Sequence, residues 1–472
     1  MFNIDKVYID GEFVTPKGSE TSDLYNPSTE EKIGTVRLGG IEDAREAVAA
    51  AKRAFPALSR TTKAERVEML KRLNATVAAR VPDLTQAMAL EYGAPQTFTR
   101  FAIPHAASSF LTMAKVLEDY DFERQMGRAR VVMQPSGVAA AITPWNSNIG
   151  FITSKLATAI AAGTTIVIKP SEMSAMQTQI LTECLHEAGL PKGVFNIVNG
   201  FGSIVGAELS RHPDIAKVTF TGSTAVGREI LRNAADTFKR VTLELGGKGP
   251  NIILDDADLD VTIPAVLRMG FVNSGQACIA GTRILVPRYR LDNVLARLKQ
   301  EIETFKVGAP DDPDAMIGPM VSQKQYDRVQ AYIELGMREG ASLLAGGLGR
   351  PAGLDRGWFT KPTIFTDVNN QMPVAREEIF GPVLSVITYR DEDEAVSIAN
   401  DTPYGLQAYL HGADVAHMQA LADRLESGRV VVNGAPHEPL APFGGFKQSG
   451  IGREYGVFGL EAFLEPKAVI AS

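Results

Sequence analysis

From Gly137 onward, short apolar runs and amphipathic runs alternate along the chain with little between them. Residues 138–142, 164–168, 195–198, 217–220 and 240–243 are brief, β-prone and bounded by turn formers, so each predicts a strand. Between them, 149–161, 176–188 and 226–235 carry helical periodicity. Strand and helix in strict alternation predict a parallel sheet with crossover helices, because parallel neighbours cannot be joined by a tight hairpin. A second series runs from Asn251 to about Gly434, with strands at 252–254, 284–286, 383–389 and 430–432 and helices such as 391–399 and 415–425. The series change at Gly246-Gly247. The expected fold class is therefore α/β, with two doubly wound parallel-sheet domains.

Upstream of this alternation the pattern differs. Val7-Tyr8-Ile9, the turn pair Asp10-Gly11 and Glu12-Phe13-Val14 predict a hairpin. Residues 42–58 keep apolar side chains on one face, and a second helix is predicted to open at the capping box Thr62-x-x-Glu65 and continue through Val67, Leu70 and Leu73. At 472 residues the chain exceeds one ordinary core, and 45% apolar with 22% charged residues is a globular composition. A net charge of −7 argues against a nucleic-acid groove or an anionic membrane surface. No apolar signal follows Met1, and two cysteines suit a reducing compartment, so a cytoplasmic protein is expected. The six histidines form no metal-ligand pair, so no catalytic metal is expected.

The chemistry-bearing residues sit at the joints of the pattern. Cys278 lies in Asn273-Ser274-Gly275-Gln276-Ala277-Cys278-Ile279-Ala280-Gly281, a polar, glycine-containing run before a strand. A lone thiol among backbone N–H groups and an amide is a candidate nucleophile. Glu244, in Leu243-Glu244-Leu245-Gly246-Gly247, is flanked by leucines that would desolvate it and raise its pKa toward that of a general base. No GxGxxG follows a predicted strand. Three other motifs end strands instead: Ile142-Thr143-Pro144-Trp145-Asn146, Lys169-Pro170-Ser171-Glu172 and Phe220-Thr221-Gly222-Ser223-Thr224-Ala225-Val226-Gly227. Ligands of doubly wound sheets collect at the carboxyl ends of strands. Ser223, in a first helical turn, suits phosphate, and Lys169 and Glu172 suit ribose hydroxyls. The Glu172 carboxylate would repel a 2′-phosphate, which favours NAD over NADP while leaving NADP possible.

Together these motifs resemble the hydrolytic, NAD(P)-dependent aldehyde dehydrogenases over nearly the whole chain. The resemblance continues through Glu378-Ile379-Phe380-Gly381-Pro382 and Pro442-Phe443-Gly444-Gly445-Phe446-Lys447. It implies that Cys278 attacks an aldehyde, that the thiohemiacetal passes hydride to NAD, and that Glu244 activates the water that hydrolyses the thioester. Asn146, with the Cys278 N–H, would hold the oxyanion. Glu378 would hold the nicotinamide ribose, Phe380 would pack beside the nicotinamide, and Leu245 and Gly246 would line its pocket. Ile142, Thr143, Pro144, Trp145, Ser171, Gly202, Phe220, Gly222 and Val226 complete the expected cofactor set. Gly150, Phe151, Ser154, Ile279, His437 and Phe443 would line the substrate funnel. Small residues at 150 and 154 suggest a roomy pocket for a medium or aromatic aldehyde, and the absence of paired arginines in these stretches weighs against a semialdehyde carboxylate.

The implied organisation is a cofactor domain (1–116 and 135–246), a catalytic domain (247–445) and a bridging, oligomerisation sheet from 117–134 and 446–472, supporting a homodimer or homotetramer. One departure stands out. The family usually has proline two residues after the asparagine, and here Asn148 occupies that place, which should loosen the loop holding Asn146. A CoA-acylating dehydrogenase, a non-catalytic protein on the same fold and a cysteine hydrolase are the competing readings. Glu244 argues against the first, and retention of Cys278, Glu244 and Asn146 together argues against the second.

Overall fold

The computed structural model describes residues 1–471. In it, the first βα series forms an eight-stranded sheet. Its order is Gly450–Ile451, Arg240–Glu244, Ile215–Thr221, Val138–Ile142, Ile166–Lys169, Phe195–Ile197, Val7–Ile9 and Glu12–Val14. The five central strands are mutually parallel, and the edges are antiparallel. The chain steps outward from Val138–Ile142 in one direction, then resumes on its other side with Ile215–Thr221, so the switch point lies between these two strands. Ile142 is in register with both Lys169 and Phe220, and Thr221 with Glu244. Register alone therefore brings the three strand-end motifs and the candidate base to one level.

The middle of that sheet is made of small side chains. Ala139, Ala140 and Ala141 are fully buried and let helices close on both faces. The helix Asn148–Ala162 is buried on nearly all sides, between the sheet and the helices Lys63–Ala79 and Gln96–Asp119. Gly163, at φ +78°, terminates it in the left-handed conformation that glycine adopts without strain. The expected capping box forms: Thr62 Oγ1 accepts from Glu65 N at 3.2 Å, and Glu65 Oε2 accepts from Thr62 N at 2.7 Å.

The second sheet has seven strands in the order Ser342–Ala345, Thr363–Thr366, Val383–Tyr389, Arg283–Pro287, Pro250–Ile253, Gln407–His411 and Arg429–Val432. All are parallel but the first. Both large sheets are thus wound as the alternation predicts, but mixed at their edges. A small antiparallel sheet joins Glu123–Met126, Ala129–Pro135 and Leu464–Ile470. A further three-stranded sheet, Phe2–Ile4, Lys32–Arg37 and Thr21–Tyr25, is absent from the sequence expectation.

The expected bridging segments need redrawing. Residues 117–119 end the helix Gln96–Asp119. The stretch 446–463 leaves the bridge altogether: Gly450–Ile451 pairs with Arg240–Glu244, and the helix Gly456–Glu461 packs on Asn148–Ala162. A two-residue strand in a glycine-rich run has no periodicity to reveal it. No helix among the described residues is long and apolar enough to cross a membrane.

Candidate active site

Two adjoining cavities open at the switch point. One, of about 290 Å³, is lined by Pro144, Trp145, Asn146, Phe151, Thr221, Gly222, Ser223, Glu244, Leu245, Gly246, Cys278, Glu378 and Phe380, with Gln325 and Arg328. The other, of about 380 Å³, is lined by Ile142, Thr143, Lys169, Ser171, Glu172, Gly202, Phe220 and Val226 among others, and shares Pro144, Thr221 and Gly222 with the first. All three expected catalytic residues and the whole expected cofactor set thus border one continuous cleft. The funnel set divides. Phe151 lines the cleft, whereas Gly150, Ile279, His437 and Phe443 do not, and Ser154 borders a separate void beside Lys155 and Glu454.

Cys278 is delivered by a constrained segment. Asn273, Ser274 and Gly275 have φ of 52°, 59° and 73°, three successive left-handed residues of which two are not glycine. Side-chain bonds hold this conformation. Ser274 Oγ accepts from Gly318 N at 2.8 Å, Gln276 Oε1 from Val321 N at 3.0 Å, and Gln276 Nε2 donates to Pro319 O at 3.2 Å. Asn273 Nδ2 donates to Asn146 O at 2.8 Å, and Asn146 Nδ2 donates to Gln276 O at 2.9 Å. The second bond turns the Asn146 amide nitrogen toward the cysteine segment and leaves its other N–H available. Asn148, where loosening was expected, ties its helix to a neighbour instead: its Nδ2 donates to Thr178 Oγ1 at 2.9 Å.

Burial pushes the Cys278 thiol up to about 12, with Glu378 and Glu244 adding to the rise and Arg429 opposing it. Glu244 ends its strand with both carboxylate oxygens buried and without a hydrogen-bond partner. Burial holds its carboxyl well above the usual range, the nearby Glu454 adds to this, and Lys155 and Arg453 pull the other way. A side chain at Gly444 would place a carbon 2.8 Å from Glu244 Oε1, so glycine there preserves the space around the carboxylate. Behind Glu244, Lys155 pairs with Glu454, and Thr219 Oγ1 lies 3.1 Å from both. Sequence reasoning missed this pair. Its one local signal is that Lys155 is the single charged residue of a helix buried on nearly all sides.

On the cleft's other wall, Glu378 Oε1 accepts from Gly247 N at 3.0 Å, and burial raises its carboxyl to about 7. Its other oxygen lies where any side chain at Gly246 would be. Phe380 has φ 64°, and its ring meets Trp145 edge-on at 5.5 Å. Lys169 Nζ lies 3.4 Å from Glu172 Oε2. Ser171 and Ser223 each cap a helical turn, accepting from Met173 N at 3.3 Å and Val226 N at 3.4 Å. Thr143 Oγ1 and Thr221 Oγ1 are buried in the cleft without a partner, which marks a polar ligand's place.

A wound sheet with a thiol, a partnerless carboxylate and an oriented amide around a switch-point cleft defines an aldehyde dehydrogenase. The chain belongs to that family, whose sequence profile matches residues 13–469. It is 47% identical to a 3-succinoylsemialdehyde-pyridine dehydrogenase of a Pseudomonas species, over 98% of each chain. Among solved structures it is similar to a mutant aldehyde dehydrogenase C from Pseudomonas syringae in complex with NAD+ and octanal. That match has TM-score 0.97 and 44% identity over 99% of this chain and 96% of the other. An aldehyde dehydrogenase of Mycobacterium tuberculosis complexed with NAD+ gives TM-score 0.96 and 39% identity, over 100% and 98%.

Proposed function

We propose that this protein oxidises an aldehyde to its carboxylic acid with NAD, through a covalent intermediate on Cys278. The observation carrying this reading is that Cys278 and the partnerless Glu244 carboxylate border the same cavity. As Cys278 Sγ bonds to the carbonyl carbon, the thiol proton must leave, and the free oxygens of Glu244 are placed to take it. The carbonyl oxygen becomes an oxyanion facing the free N–H of Asn146, and one such donor is typically worth about 10²–10³ in rate. NAD, when bound, supplies the two-electron acceptor that turns the thiohemiacetal into a thioester. Once Glu244 has released that proton to solvent, it takes a second one from water, the hydroxide adds to the thioester carbonyl, and the C–S bond breaks to release the acid, the sulfur regaining its proton from Glu244.

The larger cavity suits the adenosine half of NAD. Lys169 and Glu172 are the groups to hold its ribose, the turn at Gly222-Ser223 its phosphates, and Glu378 the second ribose. The orphaned Thr143 and Thr221 hydroxyls fit a hydroxyl- and phosphate-rich ligand. Glu172 disfavours an added 2′-phosphate. Trp145, Phe151 and Phe380 fit a medium or aromatic aldehyde. Two related proteins are named for a pyridine semialdehyde and for a complex with octanal, which supports such a range. The sheet closed by Leu464–Ile470 offers the free edge of Glu123–Met126 for a homodimer or homotetramer. Two free cysteines suit a reducing cytoplasm.

The test is an aldehyde panel with NAD and NADP in parallel, followed by absorbance of the reduced cofactor. Turnover with NAD is expected, with Cys278→Ala lowering it by about 10³-fold or more. Full turnover in that variant would refute the assignment.

A further inference from the structure

Arg429 opens the last strand of the second sheet, and its guanidinium is half-buried. The Cζ atom lies 5.1 Å from the centroid of the Phe443 ring. Its Nε donates to Gln407 Oε1 at 2.6 Å and its Nη1 to His437 Nδ1 at 2.9 Å. Both partners are neutral: burial and the guanidinium itself hold the His437 imidazole down to about 4. No carboxylate lies within 4.0 Å of Arg429 among the described residues, and its Nη2 has no hydrogen-bond partner there.

Arg283 shows what a purely structural buried arginine looks like in this protein. Its Nε, Nη1 and Nη2 all donate, to Lys248 O, Asn370 Oδ1, Ile398 O and Ala399 O, at 2.8–3.0 Å. Arg429 is left with an uncompensated charge and a free edge. The guanidinium is also tied to the segment that bears the thiol. Gln407 donates to the Tyr409 hydroxyl, Tyr409 donates to Ile279 O at 2.8 Å, and Ile279 follows Cys278. The positive charge of Arg429 is the smallest of the influences on the Cys278 thiol and opposes its burial-driven rise. A run of aromatic rings connects its surroundings to the surface. Phe101, 62% exposed, stacks on His105 at 5.4 Å, His105 meets His437 at 5.3 Å, and Tyr455 touches both His437 and Phe443.

We propose that Arg429 is a specificity-determining residue that selects aldehydes carrying an oxygen acceptor, a ketone carbonyl or a carboxylate, remote from the aldehyde carbon. The proposal rests on Cys278 being the nucleophile. It reverses the expectation that acidic semialdehydes are disfavoured, because the arginine comes from a strand outside the stretches that the sequence pointed to. A guanidinium with a free edge gains a charge-assisted hydrogen bond from such an acceptor and loses water without return to an alkyl group.

Three para-substituted benzaldehydes of matched shape, bearing carboxylate, acetyl or isopropyl, test this on the wild-type enzyme, Arg429→Met and Arg429→Lys. The wild type should favour carboxylate or acetyl over isopropyl by about 10–10²-fold in kcat/KM, carried mainly by KM. Arg429→Met should erase the preference, and Arg429→Lys should restore part of it for the carboxylate. Preference for both polar substrates marks a carbonyl reader, and preference for the carboxylate alone marks an anion reader. Equal losses on all three, or no wild-type preference, would overturn the proposal. Calorimetric binding of terephthalate against 4-isopropylbenzoate needs no turnover. If no aldehyde is oxidised while terephthalate binding still depends on Arg429, the activity reading fails and the role of Arg429 stands. Equal binding of the two acids overturns that role.

Discussion

At the scale of single residues, the cleft stores its proton in the wrong place for resting reactivity. The Cys278 thiol is protonated at neutral pH, and the Glu244 carboxyl is held well above its usual range by burial. A base with a raised pKa works only once it has lost its proton, so turnover should climb with pH through the titration of Glu244. In Glu244→Gln that limb should vanish, and because both thiol attack and thioester hydrolysis lose their proton acceptor, steady-state turnover should fall about 10²–10⁴-fold with no fast burst of reduced cofactor. A pH–rate profile with rapid-mixing absorbance checks both, and an unaltered profile would count against the base. That Cys278, Glu244 and Asn146 belong to one cleft was legible because of the motifs in which they sit. Lys155 and Glu454 were not, since 299 positions separate the two halves of one ion pair. Arg429 was hidden in the same way: a strand-end arginine acquires meaning only from the rings and amides that other segments bring to it.

At the scale of elements, strands with clean boundaries were readable from apolar runs and the helices from their caps. The misses share a physical cause. Gln407–His411 carries polar residues at both ends, yet all five are buried, because Gln407 and His411 find side-chain partners. Ser342–Ala345 is a partly exposed edge whose apolar run, Leu343-Leu344-Ala345, is too short to tell a strand from a helix. The segment before Cys278 has no periodicity, and it is held by a chain of amides. Gly275 sits at φ +73°, with no room for a side chain against the Gly381 backbone. Gly275→Ala should combine a left-handed penalty of about 1–2 kcal/mol with that clash. Its melting temperature should drop, and its rate of Cys278 alkylation should change, because the thiol is displaced. A variant matching the wild type in both would show that the segment tolerates other conformations.

For the whole molecule, the order of strands explains why distant motifs meet. Register levels Ile142, Lys169, Phe220 and Glu244, and the second sheet supplies the opposite wall through Glu378 and Phe380. The α/β class was readable from alternation alone, but the return of the C-terminal region to the first sheet was not. Leu464–Ile470 covers the whole of Ala129–Pro135, and Glu465 pairs with Arg240. Removing residues 464–471 should bare that strand edge, lower thermal stability by several degrees and reduce the particle mass in light scattering. An unchanged mass would argue against assembly through this sheet.

The two-residue strand Gly450–Ile451 has a consequence for how the chain is made. The first lobe receives its outermost strand from a segment translated after every strand of the second. The first lobe is therefore sealed only after the strands of the second have been made, and the wall beside Glu244 stays open until then. A chain that stops short of residues 450–451 lacks the strand that pairs with Arg240–Glu244, and with it one wall of the Glu244 pocket.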